Sequence, residues 1–137
     1  MNLNPQYCWA DQYVKGAEQN QVQQNGIDLR IKRDIVIPNG SFVNVDFIET
    51  IHCTGNVFAM PVCTRSSFSR KGIFCTSGVW DTGYSGPGGC SIYNFSGKEI
   101  TIKAGTSVCQ ILFFRAPSDV KSYDGHYNHT TEINSKL

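Results

Sequence analysis

Turn-forming clusters interrupt this chain about every 8–12 residues, the spacing at which short strands alternate with tight connections in all-β sandwiches and barrels. Between the interruptions stand "GIDLRIK", "RDIVI", "SFVNVDFIET", "NVFAMPVCT", "GIFCTSGV", "CSIYNF", "EITIKA" and "SVCQILFFRA". Their β-branched and aromatic content suits a pleated, half-buried surface. In "IVIPNGSFVNVDF", Pro38, Asn39 and Gly40 separate two apolar runs and mark a turn. "NFSGKEITI" and "IKAGTSV" repeat that logic. Helical periodicity is weak throughout. Residues 9–24 are the one candidate, and their Gln and Asn content leaves little apolar face. The expectation is an N-terminal arm or loop over 1–24, a single β domain over 25–116, and a polar tail over 117–137. That tail is either a loose end or a lid that orders on a ligand.

Composition narrows the partners. The chain has 137 residues, 40% hydrophobic and 17% charged, with a net charge of +1. This is globular rather than disordered composition. The near-zero charge gives no broad electrostatic case for nucleic acid or an anionic membrane, although twelve Lys and Arg could still build a local basic pocket. No run of about 18 apolar residues is present, so no transmembrane helix is expected. The N-terminus lacks a basic stretch followed by an apolar one, which argues against a secretory signal. The six cysteines are widely spaced with no CxxC, so spacing offers poor support for zinc. Most lie in apolar strand-like text and read as buried free thiols. A reducing, cytoplasmic setting follows as the expectation.

Five features could carry chemistry. Asp28 in "NGIDLRIK", read singly, is an ordinary strand-end carboxylate. Arg65, Ser66 and Ser67 in "TRSSFSRKG" offer a guanidinium, two hydroxyls and turn-like N–H groups, which suit phosphate oxygens but also suit a solvated turn. Asp81 in "GVWDTGYSGPGG" is the one carboxylate among five glycines and two aromatics, and could cap a turn through its own side chain. Gln110 sits in an apolar strand, where its amide needs partners. The fifth feature is the aromatic, His-bearing tail "YDGHYNH".

In this order and spacing the features resemble the motif set of the dUTPase and dCTP deaminase superfamily, over roughly residues 25–128. "GIDLR" is similar to its first motif and "RSSFSR" to its second, in the RSSxxR form familiar from the deaminase branch. "GVWDTGYSGPGGCSIYNF" is similar to the third and "GTSVCQILFF" to the fourth. The resemblance implies a distorted β-barrel of jelly-roll type, assembled as a homotrimer with active sites at subunit interfaces. It implies hydrolysis of dUTP to dUMP and pyrophosphate. Asp81 would activate the attacking water, and Arg65, Ser66 and Ser67 would hold the triphosphate. Tyr84 would pack on deoxyribose within a hairpin, running from Gly78 to Ser91, that admits the base. Gln110 would contact phosphate or buttress the site, and Asp28 would help place Mg²⁺ through water. The glycine-rich fifth motif of ordinary dUTPases is absent. The tail is similar instead to that of the deaminase branch, with Tyr127 and Asn128 as lid residues and His126 where a Lys is common. Deaminases carry a Glu ten residues after this Asp, where this chain has Ser91, and a hydroxyl cannot shuttle protons as a carboxylate does. The alternatives are a dCTP deaminase-like enzyme, an enzyme of a different pyrimidine deoxynucleotide given Pro87 and its flanking glycines, or a non-catalytic nucleotide- or partner-binding relative.

Overall fold

Antiparallel strands dominate the regular structure of the computed structural model, which describes residues 1–118, 120–125 and 128. In chain order they are β1 (Val14–Lys15), β2 (Ile27–Arg30), β3 (Ile35–Ile37), β4 (Phe42–His52), β5 (Val57–Ala59) and β6 (Cys63–Thr64). After them come β7 (Ile73–Thr76), β8 (Ser85–Asn94), β9 (Ile100–Ile102), β10 (Ser107–Ile111) and β11 (Phe113–Arg115). Pairing gives one four-stranded sheet, β1-β4-β8-β7, and three smaller ones, β2-β10-β6, β11-β5 and β3-β9. The sheets curl round a single core that includes Ile27, Leu29, Ile51, Ile92, Val108 and Phe113. The expected all-β single domain is what the chain forms. Among the described residues, no helix is long and apolar enough to cross a membrane.

β4 and β8 organise the molecule. Their ladder runs from Phe42↔Tyr93 to Asp46↔Gly89, shifts register, and resumes from Thr50↔Pro87 to His52↔Ser85. The irregularity changes which side chains point inward, so Val45, Asp46 and Phe47 are buried in succession before alternation returns at Glu49 and Ile51. The glycine-rich text "SGPGG", a run of turn-formers by sequence, is therefore part of a strand. A Cβ on Gly88 would lie 2.9 Å from Phe47 Cδ2 and 3.1 Å from Ile51 Cγ1. Glycine there lets β8 close onto the core side chains of β4. Pro87 is tolerated because β7 pairs with β8 only from Asn94 to Ser91, leaving Pro87 where the strand has one neighbour.

The first 24 residues carry short elements that periodicity did not signal. A helix over Pro5–Ala10 (α1) begins with Pro at its first turn and an Asn4 cap whose side chain accepts from the Gln6 N–H at 2.9 Å. Cys8 and Tyr13 are buried, Val14 pairs with Ile51, and Trp9 Nε1 donates to the Ala17 carbonyl at 2.9 Å. A 3₁₀ turn over Gln19–Gln21 follows. Capping and contacts across the fold, not a continuous apolar stripe, hold this segment.

Two of the strand-like runs divide. "NVFAMPVCT" becomes β5 and β6, separated by Met60, Pro61 and Val62, and "SVCQILFFRA" becomes β10 and β11 on either side of Leu112. Each half then joins a different sheet. This division places β6 beside β10 and so builds the site below.

Candidate functional site

β2, β10 and β6 bring Asp28, Gln110 and Arg65 together. In the ladder Gln110 faces Asp28 on one side and Cys63 on the other, and Arg65 follows directly after β6. Asp28 is 3% exposed, far from the exposed strand end its sequence context suggests. Its carboxylate accepts from Arg65 Nη1 in a close ion pair, from Gln23 Nε2 at 3.0 Å, and from Gln110 Nε2 at 3.4 Å. A buried carboxylate demands such partners, because an unpaired charge in a low-dielectric interior is costly. The Arg65 side chain is 42% exposed, so the guanidinium leans outward from that pair. A cleft opens beside it, lined by Gln23, Asp28, Cys63, Thr64, Arg65, Ser66 and Gln110.

Arg65 is also the N-cap of a one-turn helix, Ser66–Ser69 (α2), whose Phe68 and Ser69 N–H groups return to the Arg65 carbonyl at 2.9 and 3.1 Å. Ser66 lines the cleft; Ser67 is exposed and does not. The N–H groups at the start of such a turn have no partner within it and face outward. Sequence reasoning missed Gln23, Cys63 and Thr64 as lining residues. It also missed the support beneath them. Glu49, fully buried, accepts from the Arg30 N–H at 2.9 Å, from Arg30 Nε at 2.7 Å and from Gln21 Nε2 at 2.9 Å. The same Gln21 amide donates to the Asp28 carbonyl at 2.8 Å, tying that network to β2. The only sequence signal for it was a charged residue at an inward position of "SFVNVDFIET".

Asp81 lies elsewhere. It opens a turn in which the Tyr84 N–H donates to the Asp81 carbonyl at 3.0 Å, with Gly83 at φ +90° in the third position. The backbone carbonyl therefore closes the turn. The Asp81 side chain is exposed and makes no hydrogen bond or ion pair with the described residues. Asp81 is not among the residues lining the Arg65 cleft. Gly78 is exposed, and a Cβ there would meet nothing within 4 Å. Ser91 Oγ donates to Asn44 Oδ1 at 2.6 Å across the β4–β8 ladder. No carboxylate occurs on β8.

The tail returns to this turn. Tyr123 N–H donates to the Thr82 carbonyl at 2.6 Å, and its ring meets Tyr84 edge-on with centroids 5.3 Å apart. Tyr84 is buried, with its hydroxyl donating to the Pro87 carbonyl at 2.6 Å. Asn128 Oδ1 accepts from the Ser85 N–H at 2.8 Å. Tyr127 and His126 lie outside the described residues.

All six thiols are free, and five of them are buried; Cys63, at the cleft, is the exposed one. Spacing gave no metal signal, yet the fold gathers Cys75, Cys90 and Cys109 into one cluster.

The solved structures that this fold matches are of two kinds. A dCTP deaminase from Agrobacterium tumefaciens superposes with a TM-score of 0.67 at 19% identity, covering 79% of this chain and 46% of that one. The EIAV dUTPase superposes with a TM-score of 0.63 at 22% identity, covering 83% and 92%. These likenesses place the chain among all-β proteins of the dUTPase-like fold. In sequence, the model of the dUTPase family matches residues 13–135, and the chain belongs to that family. Curated relatives include a probable deoxyuridine 5'-triphosphate nucleotidohydrolase of Halobacterium salinarum, 33% identical over 69% of this chain and 54% of the relative. A dCTP deaminase of Pyrococcus abyssi is 26% identical over 82% and 73%. The Pol polyprotein of an ovine maedi visna related virus is 33% identical over 64% of this chain. The chain spans 8% of that polyprotein and 23% of the human herpesvirus 1 deoxyuridine 5'-triphosphate nucleotidohydrolase.

Proposed function

We propose that this chain hydrolyses dUTP to dUMP and pyrophosphate. The observation that carries the reading is the separation of two half-sites within one chain. One half is the cleft of Arg65, Ser66 and Gln110 around a paired Asp28; the other is Asp81 on the Tyr84 turn, exposed and without a side-chain hydrogen bond or ion pair among the described residues. A cationic, hydroxyl-lined cleft holds phosphates through charge-assisted hydrogen bonds. An exposed carboxylate can accept a proton from water. In a closed cyclic assembly, a homotrimer, the Asp81 turn of one copy meets the cleft of its neighbour.

In that arrangement the Asp81 carboxylate takes a proton from a water molecule, whose oxygen attacks the α-phosphorus. The bond to the bridging oxygen of pyrophosphate then breaks. Such transfer depends on placement and charge neutralisation more than on covalent help. Arg65, the Ser66 hydroxyl and the turn's N–H groups would neutralise and orient the phosphates. Ser67 would assist only through its backbone. Gln110 holds Asp28 and reaches the cleft. The donor set fits Mg²⁺ carried mainly by phosphates and water: one carboxylate, already shared with Arg65 and two amides, leaves no cage of direct ligands. Mg²⁺ would supply charge neutralisation on the leaving pyrophosphate, with Asp28 touching its waters. Tyr84 and the turn from Gly78 to Ser91 would receive the deoxynucleoside, and the tail would cover it.

Ser91 bonded to Asn44 provides a hydroxyl and an amide where deamination would call for a proton-shuttling acid. This disfavours dCTP deamination. The test is incubation with dUTP, dCTP, dTTP and dATP plus Mg²⁺, measuring pyrophosphate and ammonia. Pyrophosphate from dUTP alone is expected, with Asp81→Asn abolishing it while dUTP still binds. Ammonia from dCTP, or near-normal turnover by Asp81→Asn, would overturn the proposal. Nucleotide binding without product would indicate a non-catalytic relative.

A further inference from the structure

Cys75 of β7, Cys90 of β8 and Cys109 of β10 come from three strands, yet their sulfur atoms all lie within 4.8 Å of one another. All three are buried and none is oxidised. Cys75 and Cys90 approach diagonally across the β7–β8 ladder, in which Cys75 faces Ile92. Cys109 arrives from the other side, where β10 pairs with β6. Among the described residues, no imidazole or carboxylate belongs to the group. The neighbouring Thr64 hydroxyl accepts from the Cys75 N–H at 2.8 Å and donates to the Cys75 carbonyl at 3.4 Å.

We infer that Cys75, Cys90 and Cys109 form a three-sulfur site for a soft metal ion of low coordination number, monovalent copper being the physiological example. An all-thiol donor set selects soft ions. A metal–sulfur distance of about 2.3 Å puts three trigonal sulfurs ~4 Å apart. The sulfurs here lie within 4.8 Å of one another, close to that separation. Zinc is almost always four-coordinate, whereas the cluster offers three ligands among the described residues, all of them buried. Metal binding would displace the thiol protons, so affinity rises with pH.

The position gives the site a reach. Cys109 precedes Gln110, Thr64 precedes Arg65, and Cys109 and Thr64 are ladder partners. A bound ion would tie β7 and β8 to β10, the strand that carries Gln110 of the cleft.

The test is anaerobic titration of the full chain with monovalent copper held by a chromophoric chelator. X-ray absorption would count sulfur ligands, and alkylation followed by mass spectrometry would map the protected thiols. One ion per chain, three sulfur neighbours, and protection of Cys75, Cys90 and Cys109 but not Cys63 are expected. Cys63→Ser should bind as the parent does, and Cys90→Ser should lose the ion to the chelator. The parent chain's alkylation map decides the question even if Cys90→Ser folds poorly. Failure of the parent chain to retain copper would refute the site. So would protection of Cys8 or Cys63 in place of the cluster, or tighter retention of zinc with four ligands.

Discussion

If each site is shared between copies, two inactive variants should rescue one another. Arg65→Gln removes the guanidinium from the cleft but leaves an amide to donate to Asp28, which limits the burden of a buried, unpaired carboxylate. Asp81→Asn removes the base from an exposed turn where the side chain has no hydrogen-bond or ion-pair partner among the described residues, so stability should stay within about 0.5 kcal/mol of the parent. Neither variant alone should turn over dUTP. Equal amounts, co-expressed or unfolded and refolded together, associate at random. Half the clefts then keep Arg65 and half the facing turns keep Asp81, so about one quarter of the sites in a closed symmetric assembly carry both groups. Pyrophosphate release from the mixture should approach that fraction of parental activity. Parent refolded beside each variant serves as the control for recovery. A mixture as inactive as its components, with the parent recovering fully and mixed oligomers present, would refute the shared site. Were cleft and carboxylate to act within one chain, no mixture could help.

Three further outcomes follow from the same geometry. Glu49→Ala removes the buried carboxylate to which Arg30 Nε and the Gln21 amide both donate, and should cost about 3–5 kcal/mol in urea unfolding; a loss below ~1 kcal/mol would show that the network is not a buried charge pair of consequence. Burial pushes the Cys8 thiol up to about 11 and the Cys53 thiol up to about 12 from the ordinary 9.0. The folded state therefore keeps protons that the unfolded chain releases. That contribution is complete below pH 9 and is lost as pH rises through 11 to 12, at up to about 1.4 kcal/mol per pH unit for each thiol. Cys53→Ala should flatten the alkaline slope, and an unchanged slope would contradict this account. Deleting residues 122–137 uncovers Tyr84 and should slow turnover about tenfold or more, equivalent to ~1.4 kcal/mol in the barrier; normal turnover would show that the tail is no lid.

Strand text was legible wherever β-branched residues stood between turn signals, as in "RDIVI" and "EITIKA", because local propensity and burial agree there. It failed at "SGPGG", where Gly88 answers to Phe47 across the sheet and Pro87 to the absence of β7, both distant facts. It failed again at Pro5–Ala10, where a cap and buried contacts outweigh periodicity. The pairing of Asp28, Arg65 and Gln110 agrees with the motif order, since the motifs mark strands that become neighbours. The isolation of Asp81 within one chain was not readable from spacing, and neither was the thiol cluster. Contacts between strands far apart in sequence leave no mark on either local pattern.

The exposure of Cys63 at the rim of the cleft has a practical side. Stored in air, two molecules joined through this sulfur would each press a foreign chain against their own Arg65. Such preparations would lose substrate access in proportion to the cross-linked fraction and regain it on adding a reductant, with no unfolding in between.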